Sequence, residues 1–200
     1  MVVFAVLLFI AALYLPAVHQ RQAARSPRIN CVNNLKQVGL AFRTFALDNN
    51  DLYPMQTPAT NGTLEIAAYA PVYVHFQIMS NELNTPKILL CPTETRRTAA
   101  TNFGPNLDNR NMSYFVGLAA NETNVQMFLA GDRNITTGSA PNRRFLDLTT
   151  NIPAGWTTEL HNLQGNVGVA DGSVQQFTSS LLREAIAATG DPTNRLAMPY

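Results

Sequence analysis

The sequence predicts an α+β protein with one long N-terminal helix, half in a membrane and half amphipathic, packed on a small antiparallel sheet with long loops and a short C-terminal helix. Three observations predict it. An uncharged apolar run opens the chain from Met1 to Val18. Apolar residues then recur at steps of three and four from Ile29 to Phe45, the spacing of one helical face. Near the C-terminus, alternating valines flank an Asp171-Gly172 turn signal, which reads as a β-hairpin.

Residues 1–18 would be roughly 27 Å long as a helix, close to the roughly 30 Å hydrocarbon thickness of a bilayer. A cleaved signal peptide would want a basic n-region, and no Lys or Arg precedes the run. A buried soluble helix would carry a polar stripe. A transmembrane span over 1–18 is therefore the expectation, kinked near Pro16, with Ala5, Ala11 and Ala12 permitting close approach of neighbouring helices. Arg21, Arg25 and Arg28 follow, and the positive-inside rule alone would hold them in the cytoplasm.

Residues 19–50 are expected to continue into the globular part as an amphipathic helix. Its packing stripe is Ile29, Val32, Leu35, Val38, Phe42 and Phe45, opposite Asn33, Lys36, Gln37 and Arg43. Ser26-Pro27 could cap a new helix or kink a continuous one. Asp48 to Asp51 and Pro54 stop it. Residues 51–200 make the loop-rich α+β domain. Within it, Val72, Phe76, Met79 and Leu83 sit at helical spacing, and Ile88 to Cys91 reads as a short buried strand. Strands are expected over Met112 to Leu118 and Gln126 to Ala130, and irregular chain over Thr93 to Asn111 and Ile135 to Trp156. The hairpin and a short helix around Leu181, Leu182, Ala185 and Ile186, capped by Gly190, complete the domain.

Charged residues are only 14% of the chain and the formal net charge is +1. With no Lys/Arg block after residue 28, the electrostatic footprint of nucleic-acid binding is absent. Arg96-Arg97 and Arg143-Arg144 read as solvated loop pairs. Cys31 and Cys91, the two cysteines, have neither zinc nor thioredoxin spacing. In an extracytoplasmic domain they would form a disulfide, and otherwise two separate buried thiols.

His161 stands ten residues before Asp171, and the two side chains could meet at one end of the hairpin. A catalytic His–Asp pair needs a nucleophile, and neither Gly-x-Ser-x-Gly nor Ser-x-x-Lys occurs. The better reading is a structural hydrogen bond pinning a loop, with no catalytic residue and no cofactor. Asp171 with Asp132 and loop carbonyls could hold a structural calcium ion, although the EF-hand spacing is missing. His19 and His75 are isolated, His19 reading as a membrane-interface residue and His75 as the polar face of a short helix, neither as a ligand. Trp156 reads as a packing residue. The four Asn-x-Ser/Thr triplets, at Asn61, Asn111, Asn121 and Asn134, are expected by chance in a chain so rich in Asn and Thr.

Three stretches carry a family likeness. They are Leu15-Pro16-Ala17-Val18 leading through Ala23-Ala24-Arg25 to Cys31-Val32-Asn33-Asn34-Leu35-Lys36-Gln37-Val38-Gly39-Leu40-Ala41; Cys91-Pro92; and His161 with Asp171-Gly172 at H-x9-D-G spacing. The chain resembles bacterial prepilin-like proteins with a C-terminal H-x9-D-G motif, the pseudopilins of type II secretion and type IV pilus-like systems. The resemblance implies a pilin-like plan, inner-membrane anchoring with an exported head, and assembly through N-terminal helices. It also places the arginines outside. Such proteins begin with a basic leader, a Gly-Phe-type processing site and a nearby Glu. Here the residues before Leu15 are all uncharged, so the expectation is an upstream start or an anchored monomer. The function expected is a structural or accessory subunit contacting the lipid bilayer and other pilin-like subunits. The alternative is a membrane-anchored module binding carbohydrate or a secreted ligand.

Overall fold

A computed structural model of the protein describes residues 27–138 and 144–200. Its centre is a six-stranded antiparallel sheet in the order β4-β8-β1-β2-β6-β7. The strands are β1 (Tyr114–Gly117), β2 (Phe128–Asp132), β4 (Phe145–Asp147), β6 (Gln164–Val169), β7 (Val174–Thr178) and β8 (Arg195–Ala197). A separate two-stranded ribbon pairs β3 (Ile135–Thr136) with β5 (Gly155–Trp156). The first helix, α1, spans 27–48; α2 is Val72–Ile78, α3 Ser80–Leu83 and α4 Ser179–Ala188.

The inner strands are covered on both faces, so β1 and β2 are buried at every residue. This explains why their sequences read as continuous apolar runs rather than as alternation. Tyr114, Val116 and Leu129 face a core shared with α1, α2 and α3. Phe115, Phe128 and Val167 face a second core with Trp156 and the α4 residues Leu182 and Ile186. Gly165 of β6 is needed for that second core, because a Cβ there would sit 2.3 Å from the Trp156 ring. Gly172 takes φ +86° in the turn between β6 and β7, a region that glycine occupies without strain.

Helix α1 lies along β6. At its start the Arg28 guanidinium donates to the Gln164 side chain at 2.6 Å and to the His161 carbonyl at 2.8 Å. Near its end Arg43 donates to the Asp171 carbonyl at 3.2 Å. The buried face consists of Cys31, Leu35, Val38, Phe42 and Phe45, with Ala41 and Ala46.

Several expectations need correction. The pilin-like plan, one long helix over a small sheet, gives way to a six-stranded antiparallel sheet with a few short helices around it. Among the described residues no helix is long and apolar enough to cross a membrane. The expected span over 1–18 lies outside the described residues, as do His19 and Arg143. In the stripe, Val32 is only half-buried and Ile29 is 54% exposed. The reason is geometric: each step of three turns about −60° around the helix, so the run 29, 32, 35, 38 drifts across half its circumference. Ile29 therefore ends almost opposite Phe42.

Ile88 to Cys91 is not a strand. Thr85 caps a 3₁₀ turn over Pro86–Leu89, its side chain accepting from the Lys87 N–H. The stretch from Ile135 to Trp156, expected to be irregular, contributes β3, β4 and β5, and β8 enters the sheet between β4 and β1 unannounced. These strands are two or three residues long, too short to show a period of two.

Candidate functional site

The described residues with chemical potential gather where β2 ends and the loop before β6 begins. Asp132, the last residue of β2, is fully buried. Its Oδ2 accepts from the Asn166 backbone N–H at 2.7 Å and from the Asn166 side-chain amide at 2.8 Å. His161 Nε2 lies 3.3 Å from the same oxygen and 3.5 Å from Cys91 Sγ. Cys91 is joined to Cys31 of α1, with the sulfurs 2.03 Å apart. The bridge ties α1 to the chain just after the 3₁₀ turn Pro86–Leu89. Close by, the Tyr114 phenol is pushed well above its ordinary pKa, first by burial and then by the Asp132 carboxylate.

Cys31, Cys91 and His161 place their ligand atoms within 4.8 Å of one another. Joined as a disulfide, the sulfurs offer no thiolate, and the thiolate is the form that binds a metal. The cluster holds chain segments together. It presents no surface to a substrate.

His161 and Asp171 are not brought together. β6 runs between them as an extended strand, so they sit at its opposite ends. Asp171 instead caps its own turn, its Oδ1 accepting from Ser173 N–H at 2.7 Å, while its carbonyl accepts from Arg43. Asp132 is likewise remote from Asp171, since Phe128, at the start of β2, pairs with Val169 beside the turn. The calcium site imagined from these two carboxylates does not assemble. Gly172 serves the turn alone. His75 is also not a polar helix surface: it is fully buried, its Nδ1 2.8 Å from Thr63 Oγ1.

In the turn just after β2 and two residues before His161, the chemistry is open. Arg133 donates through Nε to Glu94 at 2.8 Å, and through Nη1 to Glu159 in a second close contact. Arg96 donates to the other Glu159 oxygen at 2.8 Å. Arg97 donates Nη1 to the carbonyls of Asn109 and Met112 and holds Nε 3.8 Å from Glu94. Arg110 grips Asp108 with two N–H groups. All of these but Glu94, which lies beneath, line a cleft of about 620 Å³ with Tyr200.

Charge in the cleft is strongly coupled. Burial alone would raise the Glu94 pKa, but hydrogen bonds from Arg133 and the Arg96 backbone, with the Arg97 charge, hold it below the ordinary carboxylate value. Burial, and then the neighbouring Arg133 charge, lowers that of Arg97. Burial also works against charged Arg133, yet Glu94 and Glu159 outweigh it and raise its pKa.

From the sequence, Arg96-Arg97 reads as a solvated pair, and Glu94, Asp108, Arg110, Arg133, Glu159 and Tyr200 are not singled out. Arg97 is in fact largely enclosed, with 12% of its side chain exposed. A signal was present. In a chain with so few charges, five fall between Glu94 and Arg110. No family model, curated protein or solved structure matches the chain.

Proposed function

We propose that the protein is an accessory or structural subunit of a type II secretion or type IV pilus-like assembly. In this reading it is held in the inner membrane by its apolar N-terminal run and works outside the cytoplasm through surfaces rather than catalysis. One observation carries it. Ile29, Leu40 and Leu47 are 54, 65 and 77% exposed, and at 100° per residue they fall within about 20° of one line along α1. Three apolar side chains spread over roughly 27 Å thus project from the outer face of the helix that follows the apolar run in the chain, with Lys36 among them. The inner face of α1 is occupied by the sheet; Arg28 fastens it to β6, Arg43 to the turn after β6, and Cys31–Cys91 to the segment after the 3₁₀ turn.

Solvent-facing apolar side chains stabilise nothing in the isolated head, and apolar positions repeated along one helix face are a feature that helix-to-helix packing uses. The occupant is the corresponding helix of a second subunit. A disulfide inside the head fits an oxidising compartment.

The test is a photo-crosslinking amino acid placed at Leu40 or Leu47 of the full-length protein in its native membranes. Adducts with another copy or a related membrane-anchored subunit are expected at both positions, and not at Lys87, an exposed residue outside α1. A protein that stays monomeric at both positions contradicts the proposal.

A further inference from the structure

We propose that the cleft between the 94–98 and 108–111 segments and Tyr200 is a binding site for a short acidic saccharide, one bearing uronate carboxylates. This does not depend on assembly through α1. The cleft concentrates charge in a chain that otherwise has little. Four guanidinium groups, from Arg96, Arg97, Arg110 and Arg133, face three carboxylates, from Glu94, Asp108 and Glu159. Among these side chains the balance is one positive charge.

Unused donors point the same way. Among the described residues, Arg97 Nη2, Arg110 Nη1 and two of the three Arg96 nitrogens make no hydrogen bond. Arg96 and Arg110 have 72 and 88% of their side chains exposed, so both can turn to a ligand without breaking the interior. Arg133, 4% exposed, cannot; it is the fixed positive floor, held by Glu94 and Glu159. A planar carboxylate matches the guanidinium fork in two-pronged fashion. A bound anion would also relieve the mutual repulsion of Arg97 and Arg133.

The remaining lining selects a sugar rather than a simple anion. A space of about 620 Å³ far exceeds a phosphate and lies within the usual range for small-molecule sites. Thr98, Asn106 and Asn111 supply neutral hydrogen-bonding groups suited to hydroxyls. Tyr200 supplies a rigid aromatic wall: its hydroxyl donates to the Arg133 carbonyl at 2.9 Å, and Arg97 stacks on its ring at 5.9 Å. Such a ring can meet the C–H face of a pyranose.

Calorimetric titration of the full chain in detergent tests this, using galacturonate trisaccharide, maltotriose as its neutral counterpart, and inorganic phosphate. Saturable binding of the acidic trisaccharide is expected, at least about tenfold tighter than either of the others and weaker at raised salt. Arg96→Gln combined with Arg110→Gln should weaken it at least about tenfold while the melting temperature holds. Absence of saturable binding, equal affinity for maltotriose, equal affinity for phosphate, or a double variant that binds like the parent would each overturn the assignment.

Discussion

Asp132 and Arg133 are adjacent in the chain, and Glu159 and His161 are two residues apart, yet these four side chains belong to two different environments. Asp132 and His161 turn inward, against the Cys31–Cys91 bridge and Asn166. Arg133 and Glu159 turn outward, to a cleft open to solvent. Arg133 leaves the sheet in the turn after β2, and Glu159 and His161 lie on the turn before β6, so the chain's path through these turns separates them. The comparison teaches that a His–Asp contact is not by itself a site. What decides is access, and here the pair that resembles catalytic machinery is sealed while the plain ion pairs are reachable. Interior substitutions should therefore cost stability, and cleft substitutions should cost binding.

The largest effect is expected from opening the interior cluster covalently. Replacing Cys31 and Cys91 by Ser frees a loop closed over a sequence separation of 60, which on chain entropy costs roughly 4 kcal/mol. Denaturant unfolding of the two proteins measures it. Next comes Asp132→Ala, which strands two Asn166 donors in the core and should cost about 3 kcal/mol. If Asp132→Ala left stability intact and abolished a binding activity, the division between the clusters would fail.

A third interior group sharpens the contrast by titration. Burial lowers the His75 pKa from 6.5 to about 4. The unfolded chain takes up this proton near pH 6.5 and the native state only near pH 4, so the contribution of His75 is complete above about 6.5 and falls as pH drops towards 4. The loss across that window is about 2–3 kcal/mol, and His75→Gln should flatten it. Unfolding curves at pH 7.5 and pH 5 provide the check. The smallest expected effect lies in the cleft: Arg96→Gln should change stability by no more than about 0.5 kcal/mol, since its partner Glu159 keeps Arg133.

Legibility in the sequence followed the length of the signal. The α1 stripe from Leu35 to Phe45, the Asp171-Gly172 hairpin and the α4 face of Leu182 and Ile186 could all be read, because each repeats a period several times or uses a turn that only certain residues make. β8 could not, because Arg195, Leu196 and Ala197 contain no periodicity, and only tertiary pairing with Val116 and Phe145 makes them a strand. The functional residues divide similarly. His161 could be singled out by its type, but its partner could not: spacing favoured Asp171, whereas the fold supplies Asp132 from a strand paired alongside. Arg133 gave no local sign at all, since its two carboxylates come from 39 and 26 residues away.

We propose that the Cys31–Cys91 bridge closes the head covalently and forms outside the cytoplasm. Thiol trapping in intact cells, followed by non-reducing peptide mapping of the membrane fraction, tests it most directly. A crosslinked peptide pair containing Cys31 and Cys91 is the expected result; recovery of both cysteines as alkylated free thiols would contradict it.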